Sequence, residues 1–182
     1  MNIWRTTDQD LASVCDVHRQ AFGADQGGEI VELVVGLMSD PTALPVLSLA
    51  AGADAGIAGH VLFTAVSLKG ADRHAESRIL APLAVLPGHQ REGVGGALIK
   101  EGLKQLANSG VELVFVLGDP NYYRRFGFRP ARALGLKAPH PIPEEHEEAW
   151  MVQALTPGVP GRLRGTVQCA DVLDQPRHWS SD

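Results

Sequence analysis

The sequence predicts an α/β fold of the mixed α+β type: a mostly antiparallel sheet with one central parallel pair of strands and helices on both faces. Two apolar segments, residues 79–85 and 111–117, predict the parallel pair, because an amphipathic helix separates them at the spacing of a βαβ crossover. Two earlier strands joined through residues 53–56 predict an antiparallel hairpin. The order β-α-α-β-β-β-α-β-α-β-β differs from a doubly wound dinucleotide fold, which would need parallel strands throughout.

The first forty residues predict a short strand and two helices. Residues 2–5 form the strand, and the first helix begins at Thr7 and ends near Gly23. Residues 26–28 predict a flexible link to a second helix at residues 29–39. The predicted apolar faces carry Leu11, Val14, Cys15 and Phe22 in the first helix and Ile30, Leu33, Val34 and Leu37 in the second.

The remaining strands are read from β-type segments between turn residues. Residues 46–50 and 57–68 form the hairpin, and residues 149–155 form a late strand. The acidic run at residues 144–148 could attract a cationic amine, but a solvated charged loop is the commoner interpretation of such a run.

The composition predicts one domain, residues 1–182, and excludes several classes of function. The net charge of −5 and the scattered Lys and Arg argue against a nucleic-acid partner. The first residues lack the apolar run of a signal peptide, and no uncharged stretch reaches membrane-spanning length, so we expect a cytoplasmic protein without membrane contact. Cys15 and Cys169 are expected to be reduced thiols, and no metal is expected because His140 and His146 lack further ligands at suitable spacing.

A glycine-rich loop between the first apolar strand and its helix predicts an anion site. Gly93, Gly95 and Gly96 can bring a ligand against bare backbone, and the helix that follows offers unpaired N–H donors. Arg91 adds a side-chain cation. The alternative is an ordinary strand-to-helix connection without a ligand, but this density of glycine beside an arginine favours phosphate.

Two common phosphate-binding motifs do not fit this loop. A Walker loop needs Gly-Lys-Ser/Thr, which is absent. A dinucleotide fingerprint matches Gly93, Gly95 and the later Asp119, but its third glycine position holds Leu98. Seven residues also separate Val85 from Gly93, where the fingerprint places its first glycine close to the strand end.

The loop and its flanking strands resemble the acetyl-CoA-binding signature of the GNAT superfamily of N-acetyltransferases. The matching segments are Leu-Ala-Val-Leu-Pro at residues 83–87, Gln-x-x-Gly-x-Gly at residues 90–95 and Tyr-Tyr-Arg-Arg-Phe-Gly-Phe at residues 122–128. Residues 150–165 are similar to the C-terminal strand and turn of a YhbS-like bacterial subgroup. The resemblance implies that the central parallel strands splay apart, that the pantetheine arm of acetyl-CoA fills the gap and that the loop amides hold the pyrophosphate.

The resemblance also implies roles for individual residues. The family tyrosine four residues before the Gly-Phe pair falls on Tyr123, which would protonate the departing thiolate, and a backbone N–H near Val85 would bond the oxyanion. Tyr122 is treated as structural. The family often places Asn directly after the second strand, whereas residues 118–120 precede Asn121 here. The implied cofactor-binding residues are Leu83, Ala84, Val85, Gln90, Arg91, Glu92, Gly93, Val94, Gly95, Gly96 and Asn121.

The implied reaction is direct transfer of acetyl to an amine of a small molecule, peptide or protein. No Gly-x-Ser-x-Gly elbow or Cys-His pair indicates a covalent acyl-enzyme. Glu29 and Glu76 are weak candidates for the base, with water as the alternative. Two other functions stay open, a CoA-binding sensor without turnover and, disfavoured by the loop spacing, a dinucleotide oxidoreductase. A homodimer is also left open.

Overall fold

The computed structural model describes residues 1–159 and 161–180. Its strands are β1 (Asn2–Arg5), β2 (Leu47–Ala53), β3 (Gly56–Lys69), β4 (Ser77–Val85), β5 (Leu113–Leu117), β6 (Arg129–Pro130), β7 (Leu136–Lys137), β8 (Trp150–Ala154) and β9 (Gly165–Gln168). Its α-helices are α1 (Leu11–Ser39), α2 (Val94–Asn108) and the single-turn α3 (Pro120–Tyr123). The predicted elements are therefore present, and the two-residue strands β6 and β7 are additions to the prediction.

The strands form a mixed sheet in the order β1-β2-β3-β4-β5-β8-β6. β2 and β3 form the predicted antiparallel hairpin, and β4 runs parallel to β5 at the centre. β9 pairs with the end of β3 and makes a second, two-residue parallel contact with β7. The predicted fold class is confirmed.

Helices cover both faces because strand side chains alternate between two apolar layers. On β5, Leu113 and Phe115 join the core that includes Leu33 and Leu37 of α1. The intervening Val114 and Val116 join the core that includes Leu98 and Ile99 of α2. The sheet is thus enclosed between α1 and α2.

The two predicted N-terminal helices form one kinked helix, α1. Gly23 departs from helical geometry with φ 80° and ψ −175°, so the predicted break there is confirmed. The predicted flexible link at residues 26–28 was wrong, because these residues are helical. A Cβ on Gly27 would lie 2.8 Å from the Arg19 carbonyl oxygen, so the missing side chain lets the helix pack closely across its kink.

The parallel strands β4 and β5 separate after four paired residues. Their pairing ends where Leu80 faces Val116, although β4 continues to Val85. The other edge of β4 stays paired with β3 as far as Val85, with a register shift at residues 81–82. Residues 81–85 therefore present an open backbone edge, which is the splayed pair that the resemblance implies.

The C-terminal segment returns to α1 and closes the molecule on that side. The backbone N–H of Val172 donates to Asp40 Oδ2 (3.0 Å), just after α1 ends. Trp179 is buried and packs edge-to-face against Trp150, with ring centroids 5.5 Å apart. Residues 170–180 are therefore placed beside the second half of α1.

Within residues 1–159 and 161–180, no helix combines the length and apolarity needed to cross a membrane. In the same part of the chain, no three His, Cys, Asp or Glu side chains gather as a metal site would require.

Candidate active site

A cleft of about 700 Å³ lies between the start of α2 and the open edge of β4. The loop before α2 turns through Arg91 (φ 65°) and Gly93 (φ 85°). The Ala97 N–H bonds back to the Gly93 carbonyl (3.0 Å), so the N–H groups of residues 94–96 precede the helical ladder. These donors, together with the positive end of the helix dipole, form a site suited to phosphate.

Most of the predicted cofactor-binding residues line this cleft. They are Leu83, Val85, Gln90, Arg91, Gly93, Val94, Gly95 and Gly96. Ala84, Glu92 and Asn121 are not among the lining residues. Ala84 alternates with its neighbours and points to the other face of the sheet, Glu92 is exposed beside His89, and the Asn121 N–H donates to Asp119 (2.9 Å).

Three basic residues of the cleft, His89, Lys100 and Arg125, were missed by the sequence analysis. Lys100 follows Gly96 by four residues and so shares its side of α2. That spacing could have identified it. Arg125 lies 4.9 Å from the ring centroid of Tyr122, a contact that arises only in the folded chain.

The backbone of Val85 points toward the gap between β4 and β5. The Leu86 N–H donates to the Ala58 carbonyl of β3 (2.8 Å), and successive N–H groups of a strand point to opposite edges. The Val85 N–H and carbonyl therefore point away from β3. The Gln90 side chain donates to this carbonyl (3.1 Å), and the Val85 N–H faces the gap.

A second cavity, of about 450 Å³, lies on the α1 side of the gap. Its walls come from α1, from β4, from the end of β5 and from the C-terminal segment. Leu83 lines both this cavity and the cleft, so the two spaces meet at β4. The polar residues of its lining are Gln26, Glu29, Asp119, Tyr123, Arg177 and His178.

The adjacent tyrosines face different spaces. Tyr122 lines the cleft, and a Cβ on Gly95 would lie 2.5 Å from its hydroxyl oxygen. Tyr123 lines the second cavity and packs edge-to-face against Phe128, with ring centroids 5.7 Å apart. Burial, reinforced by Tyr122 and Asp119, raises the pKa of Tyr123, so its hydroxyl keeps its proton at neutral pH.

Of the two carboxylates considered as bases, Glu29 lines the second cavity and Glu76 does not. Glu76 precedes β4, at the end remote from Val85, and it bonds His74 (2.8 Å) and Arg78 (3.0 Å). These two hydrogen bonds lower the pKa of Glu76. The acidic run forms a short 3-10 helix, Glu144–Ala149, in which Glu147 forms an ion pair with Arg132 from an earlier part of the chain.

Comparison with known proteins decides the family. The family described as "Acetyltransferase (GNAT) domain" matches residues 49–130. The N-acetyltransferase YjhQ of Escherichia coli K12 is 44% identical over 167 residues, which cover 91% of this chain and 90% of YjhQ. The chain belongs to the GNAT family of N-acetyltransferases.

Two solved GNAT structures match nearly the whole chain. The GNAT N-acetyltransferase YhbS of Escherichia coli, in complex with CoA, has a TM-score of 0.83 and 28% identity, covering 96% of this chain and 92% of YhbS. A GNAT acetyltransferase of Brucella melitensis, in complex with acetyl-CoA, has a TM-score of 0.70 and 32% identity, covering 95% of this chain and 97% of its own. The predicted GNAT membership and the likeness to YhbS are thus confirmed, and the signature at residues 83–128 lies within the matched region.

Proposed function

We propose that the protein transfers the acetyl group of acetyl-CoA directly to an amine, with both substrates bound together. The observation that carries this proposal is the open edge of β4, reached from one side by the cleft and from the other by the second cavity. A thioester at that edge would be accessible to an amine from the opposite side. The CoA and acetyl-CoA complexes of similar GNAT proteins support this assignment.

The cleft is assigned to CoA. The N–H groups of residues 94–96 and the Arg91 side chain would hold the pyrophosphate, and Lys100 and Arg125 add positive charge to the same wall. The pantetheine arm would then extend along residues 83–85 and take the place of a neighbouring strand. On this placement Ala84 contributes backbone only, and Glu92 and Asn121 contribute no contact in the conformation described.

The chemical step is assigned to Val85 and Tyr123. The Val85 N–H would donate to the thioester oxygen as it becomes negative. The amine nitrogen bonds to the carbonyl carbon, the carbon–sulfur bond breaks, and the Tyr123 hydroxyl gives its proton to the sulfur. The nitrogen loses its proton to solvent, and the tyrosinate recovers one from solvent, so no charge accumulates.

The second cavity is assigned to the acceptor amine, a small molecule or a peptide amino group. Glu29 and Asp119 in its lining supply negative charge for a cationic acceptor.

We assign the whole chain to one domain. A cytoplasmic location agrees with free Cys15 and Cys169.

Thermal melts with ligands test the assignment of the cleft. A hundredfold excess of CoA over its Kd should stabilise the fold by roughly 2.7 kcal/mol, and NADH should not change the melting temperature. Gly95→Val should abolish most of the CoA effect, because its side chain would displace the Tyr122 hydroxyl into the cleft. Gly88→Val is the control, since a Cβ there meets no atom within 4 Å. A melt shifted by NADH and not by CoA contradicts the proposal.

A CoA-binding sensor is the alternative function, and turnover separates it from an enzyme. Release of free thiol from acetyl-CoA should rise when primary amines are added. CoA binding without any amine-dependent thiol release would favour the sensor.

A further inference from the structure

The C-terminal wall of the second cavity holds a histidine in a fixed position. His178 ends the 3-10 turn Pro176–His178, and its backbone N–H donates to the Gln175 carbonyl (3.0 Å). The next residue, Trp179, is 3% exposed, and its indole N–H donates to the Leu173 carbonyl (3.0 Å). The anchored tryptophan therefore fixes the backbone that carries the His178 ring.

The Nε2 atom of His178 is buried and has no hydrogen-bond partner among the residues that the structure describes. An unpaired buried polar group destabilises a fold, so its presence calls for an explanation such as a catalytic role. His60, His74, His89 and His140 form side-chain hydrogen bonds, and His18, whose Nδ1 is also buried without a partner in the described part of the chain, is not among the residues that line the cavity. This unpaired nitrogen of His178 belongs to a ring that lines the second cavity, so a molecule bound there could supply the missing partner.

The surroundings of His178 keep its imidazole neutral at pH 7. Burial and the neighbouring Arg177 lower the pKa of His178, and Glu29 acts in the opposite direction. Asp119 and Tyr123 are the other titratable groups of the cavity lining. A neutral imidazole accepts a proton, whereas an alkylamine reaches the cavity mostly as its ammonium, which cannot attack a thioester.

We infer that His178 is the base that takes a proton from the ammonium form of the acceptor in the second cavity. This inference rests on the proposed acetyl transfer. His178 removes one proton from the ammonium and becomes an imidazolium, which Glu29 stabilises by its charge. The free amine then attacks the thioester carbon as described above. After product release, the imidazolium returns its proton to solvent.

Glu29 is less suited to this role than His178. Its carboxylate already pairs with Arg177 Nε (3.6 Å), so a role as base would require breaking this ion pair, whereas its charge can act on the cavity through space. Glu29 is therefore a positioning residue for the ammonium and the imidazolium.

Two amines of similar size test the role of His178. Ethylamine is protonated at pH 7, whereas 2,2,2-trifluoroethylamine is mostly neutral and needs no base for deprotonation. His178→Gln should lower kcat/KM for ethylamine by about 10²-fold or more at pH 7, with little effect for trifluoroethylamine. The ratio of wild-type to His178→Gln kcat/KM for ethylamine should fall about tenfold for each pH unit as the pH rises toward the pKa of the amine, because more free amine becomes available from solution. His146→Gln, at an exposed histidine outside the cavity, should leave both rates unchanged.

Equal losses for both amines, or an unaltered ethylamine rate, would overturn the inference, provided that the melting temperature of His178→Gln matches the wild type. A second measurement does not depend on turnover. In CoA-loaded protein, ethylamine should shift the NMR signal of the His178 Cε1–H and leave that of His146 in place. The absence of this shift also overturns the inference. Failure of CoA to bind would contradict the proposed function instead.

Discussion

The substitution Tyr123→Phe can distinguish a loss of catalysis from a loss of stability, because the ring and the hydroxyl of Tyr123 have different roles. The Tyr123 ring is 9% exposed and packs against Phe128, and a Cβ on Gly118 would lie 2.4 Å from it, so the aromatic ring is needed for packing. The hydroxyl takes part in none of the hydrogen bonds found among the described residues. Tyr123→Phe keeps the ring and deletes only the proposed proton donor.

The two expected effects differ in size. The free energy of unfolding should change by no more than about 0.5 kcal/mol, because no hydrogen-bond partner is stranded. If the hydroxyl protonates the departing thiolate, kcat should fall by about 10²–10⁴-fold, which corresponds to about 2.7–5.5 kcal/mol of transition-state stabilisation. Acetyl-CoA affinity should stay within about threefold, which corresponds to about 0.7 kcal/mol of binding free energy, because Tyr123 lines the second cavity and not the cleft.

Tyr122→Phe is the matched control, since it removes the same oxygen from the adjacent residue. Its hydroxyl lies against Gly95 in the cleft, so we expect a change in CoA affinity rather than in kcat. Thiol release with an accepted amine gives kcat, and calorimetry gives affinity. An unchanged kcat in Tyr123→Phe, with chemistry rate-limiting, would refute the assignment. A large kcat loss in Tyr122→Phe alone would transfer the role of acid to the cleft.

Two further predictions concern stability. Gly102→Ala should destabilise the fold by about 1–3 kcal/mol, because its Cβ would lie 2.3 Å from the Phe63 ring. Gly28→Ala, in open space on α1, should stabilise the fold by about 0.5–1 kcal/mol. Denaturant unfolding measures both changes. The buried pair His18 and His60, whose Nε2 and Nδ1 lie 2.8 Å apart, should make the fold acid-sensitive, because burial lowers the pKa of His18 to about 4 and, with His18, that of His60 to about 3.

The sign of the acid effect follows from which state binds the proton. Below pH about 6.5 the unfolded chain protonates both histidines and the folded chain does not, so stability is complete above this pH and falls as pH decreases. His18 alone should contribute about 1.4 kcal/mol per pH unit down to its folded pKa. His18→Asn should reduce that slope in denaturant titrations between pH 6.5 and 4, whereas an equal slope would contradict the pKa assignment. For the glycines, equal stability of both alanine variants would contradict the packing argument.

The sequence alone determined the local features that have local causes. The apolar strands, the glycine loop and the helix after it follow from side-chain period and backbone freedom, so β4 and β5 were predicted to within two residues, with the helix α2 between them. The break at Gly23 was predicted for the same reason. Local preference failed at residues 26–28, where glycines suggested a flexible link and close helix packing against Arg19 favoured a helix.

Only the tertiary structure decided what lies on each side of the gap between β4 and β5. Tyr122 and Tyr123 are neighbours in sequence, yet one lines the cleft and the other lines the second cavity, because one helical turn directs successive side chains to different sides. Arg125 reaches the cleft through its contact with Tyr122. His178 reaches the cavity because its neighbour Trp179 is buried in the core. The cavity also includes residues of α1, which lie about 150 residues earlier in the chain, and no local pattern encodes a contact at that separation.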